Sequence, residues 1–128
     1  MKRRDTAAEM IVRRLLHKMG YRYRLHVRDL PGTPDIVLPR LRAIVLVNGC
    51  FWHGHEACKR AKLPESNQKV WTEKIQVTRE RDFRVAQILV RSGWRVFVVW
   101  ECETRDEAAV TSRLKSFLAN ELRPAPSE

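Results

Sequence analysis

Two short apolar runs, residues 43–47 and 95–100, constrain the fold of this chain more than any other feature. Runs of this length without alternation are typical of strands that are buried on both faces of a sheet. A cysteine follows each run, Cys50 after the first and Cys102 after the second. If the two strands are neighbours, the sheet brings together cysteines that are far apart in the sequence.

The other periodic segments predict helices that cover this sheet. Thr6 and Glu9 form a capping-box pattern at the start of the first helix, and Gly20 is suited to end it. The predicted helices are residues 6–19, 69–92 and 108–122, and the further predicted strands are residues 21–27 and 35–38. The order α-β-β-β-loop-α-β-α predicts an α/β fold with a mixed β-sheet and helices on both of its faces.

Helical spacing also predicts which side of each helix is buried. The predicted apolar side of the first helix consists of Ala7, Met10, Ile11, Leu15, Leu16 and Met19. That of the second helix consists of Trp71, Ile75, Val85, Ile88 and Leu89. Residues 50–67 have no period and contain a group of histidines and cysteines, which indicates a functional loop.

Length and charge limit the class of protein. The 128 residues suffice for a single domain at 1–128, with an ordered core at 6–123 and a tail at 124–128. Twenty-five Lys and Arg against 15 Asp and Glu give a net charge of +10, which favours a nucleic-acid partner over a merely basic surface. No apolar run approaches the length of a membrane span, so we expect a cytoplasmic protein without membrane contact.

The cysteines and a nearby histidine predict a structural zinc site. Three cysteines cannot all pair within a monomer, so metal ligation or free thiols in a reducing cytosol fit better than disulfides. The candidate donors match tetrahedral zinc and are Cys50, His55, Cys58 and Cys102. Such an ion would fix a loop of low apolar content to the sheet edge. The alternative is three buried thiols beside an exposed histidine.

Three acidic residues are candidates for the chemistry, and each has an ordinary alternative. Asp35 starts a predicted strand after a turn that contains glycine, where a carboxylate can hold Mg²⁺ or simply cap backbone amides. The capping box accounts fully for Glu9. Asp82 lies in a helix rich in opposite charges, where a solvated, salt-bridged face is the default.

His53 flanks the zinc donors without being needed among them. It is therefore available for proton transfer near neutral pH, although His53 rather than His55 could be the zinc ligand instead. His17 and His26 are expected to be surface or packing residues.

The aromatic residues of the loop suggest contact with stacked bases. Phe51 and Trp52 precede His53, and Trp71 lies near the start of the next helix. Rings in such positions can insert between base pairs, and the alternative is that all three belong to the core. Trp94 and Trp100 flank the last apolar strand and are expected in the core.

Several motifs, taken in order, resemble those of the very short patch repair (Vsr) endonucleases. They are Leu30-Pro31-Gly32-Thr33-Pro34-Asp35, Asn48-Gly49-Cys50-Phe51-Trp52-His53-Gly54-His55, Trp71-Thr72-Glu73-Lys74-Ile75, Glu80-Arg81-Asp82, Gly93-Trp94-Arg95-Val96 and Trp100-Glu101-Cys102. The likeness extends over residues 5–117. It implies a restriction-endonuclease-like fold and Mg²⁺-dependent nicking of one DNA strand beside a T:G mispair, the product of 5-methylcytosine deamination.

The resemblance also implies roles by position. Asp35 and the backbone carbonyl of Val47 would be the magnesium ligands, and His53 would accept the proton of the attacking water. Glu9 and Asp82 would position waters of the metal ion, or His53. The zinc ligands would be the four donors named above, and the intercalating wedge would be Phe51, Trp52 and Trp71.

The chain departs from the family pattern at three places. Asn48 stands where the pattern has a histidine, although an amide can still hydrogen-bond a phosphate oxygen. The chain starts almost at its first helix, without the polar arm with which family members grip DNA. The segment from His53 to Cys58 is one residue longer, which leaves Ala57 without a counterpart.

Two other functions compete with mispair-directed nicking. One is a nickase that reads a sequence in fully paired DNA, and the other is a zinc-stapled DNA-binding module without catalysis. All three require double-stranded DNA. Other mismatch-repair proteins are further candidate partners of a protein that we expect to act as a monomer.

Overall fold

The computed structural model describes residues 6–56 and 58–120. Its helices are α1 (Ala7–Lys18), α2 (Gln68–Arg91) and α3 (Glu107–Asn120). Its strands are β1 (Arg24–Leu25), β2 (Ile36–Leu38), β3 (Ala43–Asn48) and β4 (Arg95–Trp100). Short 3-10 turns lie at Pro39–Leu41, Lys59–Ala61 and Glu101–Arg105. The predicted end of the last helix at residues 121–122, the tail at 124–128 and Ala57 lie outside the described residues.

The strands form a four-stranded mixed sheet in the order β1-β2-β3-β4. β1 and β2 pair antiparallel, as do β2 and β3, whereas β3 and β4 are parallel. The parallel pair runs in register from Ala43 opposite Arg95 to Asn48 opposite Trp100. The two apolar runs are therefore neighbours, and both end at the same edge of the sheet.

Helices cover both faces of the sheet, as the element order predicts. On one face, Leu16 of α1 and Leu114 of α3 pack against Val45. On the other face, Leu89 of α2 packs against Val37 and Ile44. Val45 and Ile44 face opposite layers because successive side chains of a strand alternate.

The prediction that both apolar runs are buried on both faces is only partly right. The first half of β3 is buried, but its second half is partly exposed near the loop that follows it. In β4, Val99 is the fully buried residue, because β4 is the outer strand of the sheet and has a neighbour on one side only.

In both α1 and α2, the side that is buried is rotated by part of a turn from the apolar side that the sequence predicts. Met10 is 48% exposed and Ile88 is 47% exposed, so neither belongs to the buried side. In α1 the sheet is faced by Ala8, Glu9, Val12, Leu15 and Leu16. Because the apolar residues of α1 alone fit two adjacent stripes, hydrophobicity could not show that Glu9 faces inwards.

The predicted strand at residues 21–27 is only two residues long. Tyr21 and Tyr23 pack against the core under α1, and the ladder with β2 begins at Arg24. The strand ends because the φ angle of His26 is 46°, in the left-handed region that extended backbone does not adopt.

The turn before β2 lies against α2 at Gly32. A Cβ at this position would lie 2.6 Å from Cγ1 of Val85, and the φ angle is +76°. Gly20 ends α1 at a φ angle of +89° and has nothing within 4 Å of such a Cβ. The two glycines share a conformational requirement, but only Gly32 also needs the space.

Replacement of these glycines by alanine should separate the two effects. We expect Gly20→Ala to lower the free energy of unfolding by about 1 kcal/mol, the cost of a left-handed backbone. Gly32→Ala should lower it at least twice as far, because the new methyl group meets Val85. Urea denaturation measures both values, and equal losses would contradict the close packing at Gly32.

Candidate active site and metal centre

The first functional cluster consists of Glu9, His26 and Asp35. One ligand atom from each of these residues lies within 4.8 Å of the others. The start of α1, the end of β1 and the start of β2 each supply one side chain. The backbone N–H of His26 donates to the carbonyl of Asp35 at 2.9 Å. This hydrogen bond fixes His26 and Asp35 relative to each other.

Asp35 does not act as an ordinary turn cap. Its Oδ2 accepts a hydrogen bond of 2.9 Å from the N–H of Val47, in β3. The pKa of Asp35 is raised from 3.8 to about 6, mainly by burial and also by the charge of Glu9. The Val47 hydrogen bond and the charges of His26 and His53 lower that pKa. A partly desolvated carboxylate of this kind is suited to a divalent cation, which would offset the cost of its charge.

The capping box does not account fully for Glu9, so that prediction is wrong. The N–H of Glu9 does donate to Oγ1 of Thr6, at 3.2 Å. The Glu9 carboxylate, however, is only 2% exposed and lies between Arg13 and His26. Its Oε2 is 3.0 Å from Nε2 of His26. Glu9 therefore belongs to the same cluster as Asp35.

His26 was expected to be a surface or packing residue, and the structure places it in this cluster instead. Its side chain is only 10% exposed. Its left-handed backbone is the signal of a special position, but that signal is visible only in the structure. In the sequence, nothing distinguishes His26 from His17, which is exposed on α1.

His53 forms a carboxylate–imidazole pair with Asp82. The Nδ1 atom of His53 is 2.6 Å from Oδ2 of Asp82, and the two side chains are 26% and 34% exposed. Asp82 lies on the partly buried side of α2 with Ile75 and Val85, and its partner is a loop histidine, so the opposite charges of its own helix do not account for it fully. A carboxylate at Nδ1 fixes the orientation of the ring and leaves Nε2 as the nitrogen that can accept a proton.

A tight turn holds His53 against α2. The N–H of His53 donates to the carbonyl of Gly49 at 3.1 Å, and that of Gly54 donates to Phe51 at 3.2 Å. Gly54 has a φ angle of +61°, and a Cβ there would lie 2.5 Å from Cγ2 of Ile75. Only glycine allows the loop to approach α2 so closely, near the helical turn that carries Asp82.

The second functional cluster consists of Cys50, His55, Cys58 and Cys102, whose ligand atoms all lie within 4.8 Å of one another. None of these three cysteines forms a disulfide bond, and Cys50 is fully buried. Sγ of Cys102 is 3.6 Å from Nδ1 of His55. Sulfur and nitrogen ligands at the usual distances from a tetrahedral zinc ion are also about 3.6 Å apart. The structure thus brings together the four predicted donors in a set that could hold a metal ion.

His55, rather than His53, belongs to this second cluster. The alternative in which His53 takes its place is wrong, because the Nδ1 atom of His53 contacts Asp82. Burial raises the pKa of Cys50 to about 12, so its thiolate needs a nearby cation.

Two neighbours of this cluster were not recognised in the sequence. Trp100, which was expected in the core, stacks on the ring of His55 at a centroid distance of 4.1 Å. Oε1 of Glu101 accepts a hydrogen bond of 3.3 Å from the N–H of Cys50. In the sequence, only the closeness of Trp100 and Glu101 to Cys102 indicates that they lie beside the cluster.

Phe51, Trp52 and Trp71 form one aromatic group. The ring centroids of Phe51 are 5.4 Å from Trp52 and 5.3 Å from Trp71, and the contacts are edge-to-face. All three rings are partly exposed and lie outside both apolar cores of the described residues. The alternative, in which all three rings belong to the core, is therefore wrong.

Val47 and Asn48 lie at the end of β3 beside these clusters. In an extended strand the N–H and C=O groups of one residue point to the same side. The N–H of Val47 points towards Asp35, and the carbonyl of Val47 therefore points to the same side of β3 as Asp35. Asn48 is partly exposed and pairs with Trp100 across the parallel strands.

Known proteins resemble the chain over most of its length. A family model described as DNA mismatch endonuclease Vsr matches residues 1–60. Type II nicking enzyme V.XorIIP of Xanthomonas oryzae pv. oryzae is 50% identical over 115 residues, which are 90% of this chain and 84% of that protein. The DNA mismatch endonuclease Vsr of Escherichia coli is 39% identical over 123 residues, 92% of this chain and 78% of that protein. Type II nicking enzyme V.NmeAIP of Neisseria meningitidis is 39% identical over 122 residues, covering 95% of this chain and 86% of that protein.

These relatives are DNA endonucleases, and the chain is a DNA endonuclease rather than a binding module without catalysis. More narrowly, it belongs to the Vsr family. Among the described residues, no helix is long and apolar enough to cross a membrane.

The raised pKa of Asp35 makes the stability of the metal-free protein depend on pH. A carboxyl group with a higher pKa in the folded than in the unfolded chain favours folding while protonated. Its contribution is therefore lost as the pH rises from about 4 to about 6. Asp35→Asn should raise the free energy of unfolding at pH 7.5 by about 1–3 kcal/mol and have little effect at pH 4.

Urea denaturation in the presence of EDTA at both pH values measures this difference. The exposed Asp29 provides a matched control, and Asp29→Asn should change stability little at either pH. Equal stability of wild type and Asp35→Asn at pH 7.5 would contradict a desolvated carboxylate at this position.

Proposed function

We propose that this protein is a strand-specific, Mg²⁺-dependent DNA-nicking hydrolase that acts at T:G mispairs in the cytoplasm. One observation carries the proposal above all others. The desolvated Asp35 lies within electrostatic reach of His53, whose Nδ1 atom is fixed by Asp82. A cation-binding carboxylate near an oriented proton acceptor is the combination that phosphodiester hydrolysis requires. We assign the four-stranded sheet with its flanking helices to the restriction-endonuclease type.

Asp35 and the carbonyl of Val47 are the groups that would hold the catalytic ion. A divalent cation at this position supplies stabilisation of the negative charge that develops on the phosphate. The Val47 N–H orients Asp35 by its hydrogen bond to Oδ2. Glu9, itself held by Arg13, adds negative charge and a second oxygen acceptor beside Asp35.

His53 accepts the proton of the water that attacks the phosphate. Asp82 holds the ring by Nδ1, so that Nε2 receives the proton and Asp82 stabilises the positive imidazolium that forms. Removal of the Asp82 carboxylate would leave the ring free to rotate.

Phe51, Trp52 and Trp71 open the duplex at the mispair. The group is partly exposed, and its edge-to-face contacts make it a rigid unit. Lys74 lies over the Trp71 ring, with Nζ 5.2 Å from the centroid, and adds positive charge for the DNA backbone. Unstacking costs least at a mismatched pair, so a wedge of this kind contributes to the choice of substrate.

Zinc is the ion that we assign to Cys50, His55, Cys58 and Cys102. Sulfur and imidazole donors in a closed set of four are typical of structural zinc. The ion would tie the loop that carries His53 to the end of β4, because Cys102 closely follows that strand. Its contribution would be to order the loop rather than to take part in hydrolysis.

The names of the relatives are compatible with two substrates, a T:G mispair and a sequence in fully paired DNA. One relative is a mismatch endonuclease and others are type II nicking enzymes. A nicking enzyme that reads a sequence in paired DNA would cut the T:A duplex at least as fast as the T:G duplex. The aromatic group favours the mispair, because its insertion into fully paired DNA is more costly.

A nicking assay on matched T:G and T:A duplexes tests this proposal. We expect Mg²⁺-dependent cleavage of one strand of the T:G duplex and much slower cleavage of the T:A duplex. Asp35→Ala and His53→Ala should each lower the single-turnover rate at least about 100-fold, because each removes a group that acts in the transition state.

Asp29→Ala is the control for Asp35→Ala, since Asp29 is an exposed carboxylate just before the same turn. It should leave the rate unchanged. Equal rates on both duplexes would overturn the mispair specificity, and full activity of Asp35→Ala would overturn the assignment of the cation site.

A further inference from the structure

We propose that His26 supplies a nitrogen ligand to the cation at Asp35, so that this site binds Mn²⁺ more tightly than the Mg²⁺ with which it supports nicking. The inference rests on the proposed cation site and extends its ligand set. His26 contributes to a group in which a ring nitrogen and two carboxylate oxygens lie within 4.8 Å of one another. Opposite ligands at about 2.1 Å from an ion are about 4.2 Å apart, so a shift of roughly half an ångström at most would let the three atoms share one ion.

The contact between His26 and Glu9 has the spacing of two adjacent ligands. Nε2 of His26 is 3.0 Å from Oε2 of Glu9. Two donors at right angles on an ion, each at about 2.1 Å, are also about 3.0 Å apart. The same two atoms can thus exchange their hydrogen bond for a shared cation with little movement.

The backbone holds His26 in place for this role. Its φ angle of 46° is rare for a residue with a side chain, and its N–H is bonded to the carbonyl of Asp35. The turn directs the ring inwards, where it is only 10% exposed. A packing role alone does not require that the imidazole lie beside two carboxylates.

The donor set of the cluster favours Mn²⁺ over Mg²⁺. Arg13 forms an ion pair with Glu9, so one of the two carboxylates is already neutralised. Electrostatic attraction for any divalent cation is weaker as a result, so the identity of the remaining donors decides more of the preference. An imidazole adds a donor without adding charge, and nitrogen donors suit Mn²⁺ better than Mg²⁺, which prefers oxygen.

Pulsed electron paramagnetic resonance of Mn²⁺ tests the ligand directly. The probe is Mn²⁺ added to protein in which the second cluster (Cys50, His55, Cys58 and Cys102) has been loaded with zinc. We expect coupling of the Mn²⁺ electron spin to a nitrogen nucleus in the wild type. The pattern should change to that of ¹⁵N in protein labelled with ¹⁵N-histidine.

Variants identify which histidine is bound. His26→Gln should abolish the nitrogen coupling and weaken Mn²⁺ binding about 10-fold or more, with less than about 3-fold change for Mg²⁺ in competition. His17→Gln, on the exposed side of α1, should change neither, and Asp35→Asn should abolish Mn²⁺ binding.

Two results would overturn the inference. One is bound Mn²⁺ without nitrogen coupling in the wild type, and the other is coupling that persists in His26→Gln. The labelled wild type shows whether a histidine nitrogen binds Mn²⁺ even if His26→Gln does not fold. Failure of the proposed function is a separate result, because it would appear as a lack of nicking by the wild type with either ion.

Discussion

The parallel pairing of β3 with β4 is the interaction on which the site depends. It joins Asn48 to Trp100 at the last rung of the ladder, so that the chain leaves both strands at one place. Cys50 and Cys102 follow closely, and the N–H of Cys102 lies 3.4 Å from Sγ of Cys50. A shift of register by one residue would send alternate side chains to the opposite face and separate these two cysteines.

The two clusters solve different physical problems at this edge. Glu9 is a buried carboxylate that pairs with Arg13, and Asp35 is a partly buried one whose charge a divalent cation would offset. The Cys50 cluster instead closes a loop that has few apolar residues of its own. The close approach at Gly54 then sets the loop against α2, where His53 meets Asp82. Under the proposed function, the first cluster would carry the chemistry and the second would support the loop.

The sequence predicted those parts of the structure that follow from local pattern. The mixed sheet, its flanking helices and the meeting of Cys50 with Cys102 were expected from two apolar runs and the cysteines that follow them. The motif resemblance located Asp35 and His53 before their surroundings were known. Gly20 ends α1 with a left-handed backbone, as expected from its position.

Features that depend on tertiary contacts were not predictable. The inward direction of Glu9 and Asp82 is set by the orientation of a whole helix, which a few polar positions do not determine. The position of His26 in the first cluster depends on its left-handed backbone angle and on its contact with Glu9 of α1. Trp100 was assigned to the core because it ends an apolar strand, whereas the loop places His55 over its ring.

We propose that a metal ion at Cys50, His55, Cys58 and Cys102 fixes the loop that carries His53. Hydrogen exchange measured on zinc-loaded and zinc-stripped protein tests this claim most directly, together with the zinc content of each. One zinc ion per chain is predicted, and its removal should expose the loop amides of His53 and His55 while α1 and β3 stay protected. A protein without zinc, or unchanged exchange in the loop after zinc is removed, would contradict the claim.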